Sequence, residues 1–74
     1  MSEVLSITLN GAEKDFSELG PEPTVSSLVE KLGFRADRVA LELNGQIVTR
    51  ADWPQTLISN RDRIELVHFV GGGR

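Results

Sequence analysis

Apolar and polar residues alternate from Val4 to Leu9, with Leu5, Ile7 and Leu9 on one side and Ser6 and Thr8 on the other. This is the period of a strand with one buried face. Asn10-Gly11 follows, the pair that best tolerates the positive φ of a tight hairpin turn. A second, weaker strand through Lys14 to Ser17 is expected to pair back. The period changes beyond the breaker segment Leu19 to Thr24, where Pro21 and Pro23 lack the backbone N–H that helices and inner strands use. Val25, Leu28, Val29 and Leu32 then recur at i, i+3, i+4 and i+7. That spacing predicts a short helix with one apolar stripe, capped by Thr24 at its start and Gly33 at its end.

Strand period returns at Val39, Leu41 and Leu43, which alternate with Ala40 and Glu42 before a second Asn-Gly pair, Asn44-Gly45; Ile47-Val48 restarts a strand. Arg50 to Leu57 reads as an irregular connection, with Pro54 interrupting any helix and Trp53 available to plug the sheet edge. The final strand is expected over residues 62–70, DRIELVHFV. The two Leu-Asn-Gly triplets are explained by two turns of one type, since the residues around them do not match. The order β-β-α-β-β-β, with one helix packed across a mixed sheet of four to five strands, gives every apolar face a partner. It is the order of the β-grasp, ubiquitin-like α+β fold, with residues 1–70 as the domain and residues 71–74 as a flexible glycine tail.

Length and composition narrow the functions open to such a domain. Seventy-four residues remove only about 60% of the unfolded surface from water, which disfavours a deep enclosed active site. The absence of cysteine excludes a disulfide scaffold, a thiolate metal site and a cysteine nucleophile, and the single His68 builds no histidine cluster. Eight basic against eleven acidic residues give a net charge of −3, with no basic run concentrated enough to hold a phosphate backbone, so nucleic acid is a poor partner. The first residues lack a basic start with a long apolar core, and nowhere do eighteen apolar residues occur together. A soluble cytoplasmic protein with no membrane partner is expected.

In the last strand Ile64, Leu66, His68 and Val70 share one face while Glu65, Val67 and Phe69 share the other. Both faces are apolar near the end. With one helix to cover them, either Val67 and Phe69 or the side of His68 must lie open, and an open apolar patch marks a protein contact. His68 is read as structural or interfacial, having no visible nucleophile or carboxylate partner. Glu13, Asp15, Glu18 and Glu22 are read as a solvated face, since their spacing does not match a calcium loop. Gly71 to Arg74 can reach roughly 13 Å past the sheet at about 3.3 Å per residue. Without side chains on Gly71, Gly72 and Gly73, such a segment could thread a narrow channel in a partner.

Four blocks, ITLNG, TVSSLVEKLG, VALELNGQIVTRADW and DRIELVHFVGGG, occur in this order with short gaps. Together they resemble the ubiquitin-like sulfur carriers, most closely the ThiS group of thiamin biosynthesis, and the pairing of IVTRADW with the diglycine end is the most specific part. The resemblance implies a carrier and co-substrate for partner enzymes, with no catalytic residue and no bound cofactor of its own. A ubiquitin-activating-type, ThiF-like adenylyltransferase would use ATP to adenylate the terminal glycine carboxylate. Sulfur mobilised by a cysteine desulfurase would then replace the adenylate to give a thiocarboxylate, and a ThiG-like thiazole synthase would take that sulfur into the thiazole ring.

By position Gly72 and Gly73 match the diglycine, Gly73 bears the sulfur once it is terminal, and Gly71 extends the reach. Val67, Phe69 and Val70 are the candidates for docking onto the partners. Two positions depart from the family pattern. Asn60-Arg61-Asp62 stands where the family usually has an aspartate-glycine-aspartate turn, and Arg74 follows Gly73. Removal of Arg74 by a C-terminal peptidase is the leading reading, ahead of a residue foreign to the natural chain or activation of the arginine itself. The competing functions are a molybdopterin-synthase-type sulfur carrier, a ubiquitin-like protein modifier and a plain β-grasp interaction domain.

Overall fold

The computed structural model describes residues Val4–Phe69. Strand β1, Leu5–Leu9, buries Leu5 and Ile7, and turns back through Asn10 and Gly11, whose φ values of 50° and 84° are those of a type I′ turn. Because that turn has only two residues, pairing resumes at once with Leu9 opposite Ala12. Strand β2 therefore runs Ala12–Phe16, starting two residues and ending one residue earlier than the sequence suggests. The helix α1, Val25–Leu32, begins at a capping box: the Thr24 hydroxyl accepts from the Ser27 N–H at 3.1 Å, and the Thr24 N–H donates to the Ser27 hydroxyl at 2.9 Å. It ends at Gly33 in the left-handed conformation, with φ 84°.

Strand β3, Val39–Leu43, follows a short 3-10 helix, Ala36–Arg38, and turns through Asn44-Gly45, with φ 53° and 88°, into β4, Gln46–Val48. The expected irregular connection is instead a 3-10 helix, Arg50–Gln55, with Pro54 inside it. The fixed φ of proline already lies in the 3-10 range, so Pro54 costs one hydrogen bond and leaves the path intact. Trp53 takes the place expected of it, 3% exposed, its indole N–H donating to the Val48 carbonyl on edge strand β4 at 2.9 Å. Strand β5, Arg63–His68, is shorter than the expected 62–70, and Val70 lies outside the described residues.

The strands form one mixed sheet in the order β2-β1-β5-β3-β4, with β5 parallel to β1 and antiparallel to β3. The stripe Val25, Leu28 and Val29 packs on one face of that sheet against Ile7, Leu41, Ile64 and Leu66. The start of α1 is pinned from the other side, where Val25 N–H donates to the Thr56 carbonyl and Ile58 N–H to the Pro23 carbonyl, each at 2.9 Å. The α+β sheet-and-helix arrangement expected from the sequence is the one observed.

Both turn asparagines reach β5. The Asn10 carboxamide accepts from the Leu66 N–H at 2.7 Å and donates to the Leu66 carbonyl at 3.1 Å, continuing the β1–β5 ladder after β1 has turned away. On the opposite side of β5, the Asn44 side-chain carbonyl accepts from the Arg63 N–H at 2.8 Å. The turn that leads into β5 places Arg61 at φ 72°, a conformation that costs a residue with a Cβ on the order of 1 kcal/mol. A glycine at this position would not carry that cost.

Two substitutions test these assignments by chemical denaturation. Asn10→Ala leaves both main-chain groups of Leu66 without their partner and should destabilise the domain by about 1–3 kcal/mol; a loss near zero would show that the clamp contributes nothing. Arg61→Gly should change stability in the other direction, by about +1 kcal/mol. A destabilised Arg61→Gly would mean that the arginine side chain holds the turn.

Candidate functional site

The terminal strand is central, so its end is held on both sides. On the β3 side Val39, Ala40 and Leu41 stand opposite His68, Val67 and Leu66, and the Phe69 N–H donates to the Arg38 carbonyl at 2.8 Å. On the β1 side the Asn10 carboxamide grips Leu66. The main chain is thus fixed as far as Phe69, one residue before the last expected docking position. Gly71, Gly72 and Gly73, the expected sulfur-bearing segment, lie outside the described residues, as do Val70 and Arg74.

Sheet order decides which face of β5 is open. Ile64 and Leu66 point at α1 and are buried, so Glu65, Val67 and Phe69 point away from it. Val67 is 58% exposed and Phe69 54%, which places both expected docking residues on accessible surface. His68 lies on the helix side but beyond its cover. It is exposed, and its ring stands 5.2 Å from that of Phe34, tilted by 36°, a position compatible with either the structural or the interfacial role read for it.

The open patch is broader than the last strand. Ala40 is opposite Val67, and Glu42 is opposite both Glu65 and Ile47, so Ile47 shares this face and is 74% exposed. A shallow groove of about 380 Å³ runs between these strands, lined by Ala40, Glu42, Ile47, Arg63, Glu65 and Val67 among others. Sequence reasoning passed over Ile47 as an ordinary strand residue. A two-residue turn at Asn44-Gly45 sets Leu43 opposite Gln46 and hence Glu42 opposite Ile47, and that count was available from the sequence.

The four acidic residues of the N-terminal half are not gathered. Asp15 accepts from the Ser6 hydroxyl at 2.7 Å, Glu18 pairs with Lys31, and Glu13 and Glu22 are exposed. Among the described residues no group of three or more His, Asp or Glu side chains is arranged to hold a metal ion. What the geometry offers is a partly apolar, exposed face that leads to a firmly held strand end.

Comparison with known proteins gives this face its context. The model of the ThiS family matches residues 7–73. A sulfur carrier protein ThiS of Escherichia coli is 40% identical over 50 residues, which are 68% of this chain and 76% of that one. A thiazole synthase of Paramagnetospirillum magneticum is 35% identical over 69 residues, 93% of this chain, and the chain spans only 20% of that enzyme's length. The crystal structure of the thiamine biosynthesis protein ThiS from Geobacter metallireducens superposes with a TM-score of 0.75 at 28% identity, covering 93% of this chain and all of that one. A family match over nearly the whole chain and a solved ThiS structure that superposes over 93% of it agree: the chain belongs to the ThiS family of β-grasp, ubiquitin-like sulfur carriers.

Proposed function

We propose that this chain carries sulfur as a thiocarboxylate on Gly73 and delivers it for formation of the thiazole ring of thiamin. The observation that carries the reading is that the ThiS match runs through residue 73 and leaves out only Arg74 at that end. A peptidase that releases C-terminal arginine, or a protease specific for the diglycine, frees the Gly73 carboxylate. A free carboxylate is a poor acyl donor, so a ubiquitin-activating-type, ThiF-like enzyme joins it to AMP from ATP with release of pyrophosphate. A persulfide formed with the help of a cysteine desulfurase displaces the AMP, and a second thiol cleaves the S–S bond to leave the thiocarboxylate.

The carrier binds no cofactor itself and catalyses none of these steps. The cysteine-free sequence suits the role, because the sulfur rides on a main-chain carboxyl. Thiazole synthase is the receiving partner, a choice supported by the occurrence of a segment similar to this chain within the thiazole synthase of P. magneticum. Val67 and Phe69, with Val70 after them, dock the strand end onto the activating enzyme and the synthase, while Gly71 and Gly72 give the reach. The carrier works beside ATP-dependent enzymes in the cytoplasm; separately, among the described residues no helix is long and apolar enough to cross a membrane.

Intact mass of the protein isolated from cells that contain its own partners tests the reading. The expected species has lost Arg74 and gained the difference between sulfur and oxygen. Recovery of only the full, unmodified chain under thiamin starvation would refute it. Deletion of residues 71–74 should abolish thiocarboxylate formation and leave the thermal unfolding midpoint unchanged, because the strand is already anchored through Phe69. A large drop in the midpoint would show that the tail belongs to the folded domain.

A further inference from the structure

The sheet face turned away from α1 carries a cost that folding does not explain. The β3–β5 register sets Glu42 directly opposite Glu65. Like charges facing one another across an antiparallel pair repel, and a lysine or threonine at either position would serve the isolated sheet better. Among the described residues no ion pair neutralises either carboxylate. Among the described residues the ion pairs are Lys31 with Glu18 and Arg35 with Asp37, so neither Glu42 nor Glu65 has a cation within 4.0 Å. Arg63 lines the same groove without forming an ion pair with either carboxylate, and its guanidinium lies beside Gly45, 3.7 Å from where a Cβ on that glycine would sit.

The neighbours of the pair are apolar and exposed. Ile47 stands opposite Glu42, Val67 follows Glu65 by two residues on the same face, and Ala40 completes the apolar side of the groove. Two carboxylates set among such side chains suit a planar cation that bonds both at once and tolerates loss of water. A guanidinium offers five N–H donors in a fixed fork and is weakly hydrated, whereas an ammonium is a compact, strongly hydrated point charge.

We propose that the Glu42–Glu65 pair, flanked by Ile47 and Val67, is the seat for an arginine side chain of the thiazole synthase that receives the tail. The identity of the partner rests on the carrier reading above; the chemistry of the seat rests on the register of the sheet. One positive charge placed between two negative ones turns a repulsive pair into an attractive one, so the gain exists only in the complex. The net charge of −3 steers the same encounter. Continuity with Val67 and Phe69 makes the seat one end of a single surface whose other end is Phe69, the last described residue before the tail.

Calorimetric titration of the full chain against purified thiazole synthase, at low and high salt, tests this, with thermal unfolding of each variant followed alongside. The double substitution E42Q/E65Q should weaken binding by about tenfold or more at low salt. Its unfolding midpoint should stay level or rise, since the repulsion is removed. The control E22Q/E30Q makes the same change in net charge on the loop before α1 and on α1 itself, and should bind within about twofold of the wild type. Binding by E42Q/E65Q equal to that of the wild type overturns the inference and leaves the carrier reading standing. An equal loss in E22Q/E30Q also overturns it, by making overall charge the cause. A wild-type chain that does not bind thiazole synthase at all overturns both the seat and the choice of partner.

Discussion

The carboxamide of Asn10 closes on the main chain of Leu66, accepting from its N–H and donating to its carbonyl, and the position of the terminal strand depends on that grip. Strand β1 is paired with β5 only from Thr8 to Leu9, opposite Arg63 and Ile64, and then leaves the ladder through its turn. Strand β5 has to continue toward the tail without it. A side-chain amide has the donor and acceptor of a peptide group, so it extends the ladder by one more step in a partly buried place where an unpaired N–H would be costly. Asn44 does comparable work on the other side, at the beginning of β5. Glycine would satisfy the positive φ of either turn but could not reach across; asparagine does both.

Local periods made much of this fold legible. The alternation of β1 and β3, the stripe of α1, its Thr24 and Gly33 caps and the two I′ turns are each written within a few neighbouring residues. The features that escaped involve distant parts of the chain. Nothing near Asn10 points to Leu66, 56 positions away. Both faces of β5 are apolar near its end, so only the sheet order, with β5 central and α1 on one side, could decide that Val67 and Phe69 face out. Pro54 was read as a helix breaker because the rule is framed for α-helices, and the tighter 3-10 turn accommodates it. For the site, the sequence named Val67 and Phe69 as docking candidates without deciding which face of the strand is open, and it overlooked Ile47. The roles of Gly72, Gly73 and Arg74 came from family resemblance and concern residues outside the described structure.

A chain of this size with one helix cannot cover both faces of a five-stranded sheet. The covered face takes the interior residues Ile7, Leu41 and Ile64, and the other is left to solvent or to partners. A fold that served only itself would dress that second face with alternating charges and small polar groups. The β1–β2 half does so, with Ser6, Thr8, Glu13 and Asp15 on that side. The β3–β4–β5 half does not, presenting Ile47, Val67 and Phe69 beside two opposed glutamates. The contrast between the halves of one sheet face marks the β3–β4–β5 half as the one whose side chains the fold alone does not account for.

Under the proposed carrier role, a central strand rather than an edge strand serves the residues that follow Phe69. A partner that draws a chain end into a narrow site pulls along the strand, and the hydrogen bonds of a sheet lie across that direction. An edge strand would resist with one ladder. Here β3 resists on one side through Phe69, while β1 and then Asn10 resist on the other. Peeling the strand end away would mean breaking both sides together, so the domain can hold its shape while the residues beyond Phe69 are handled by another protein.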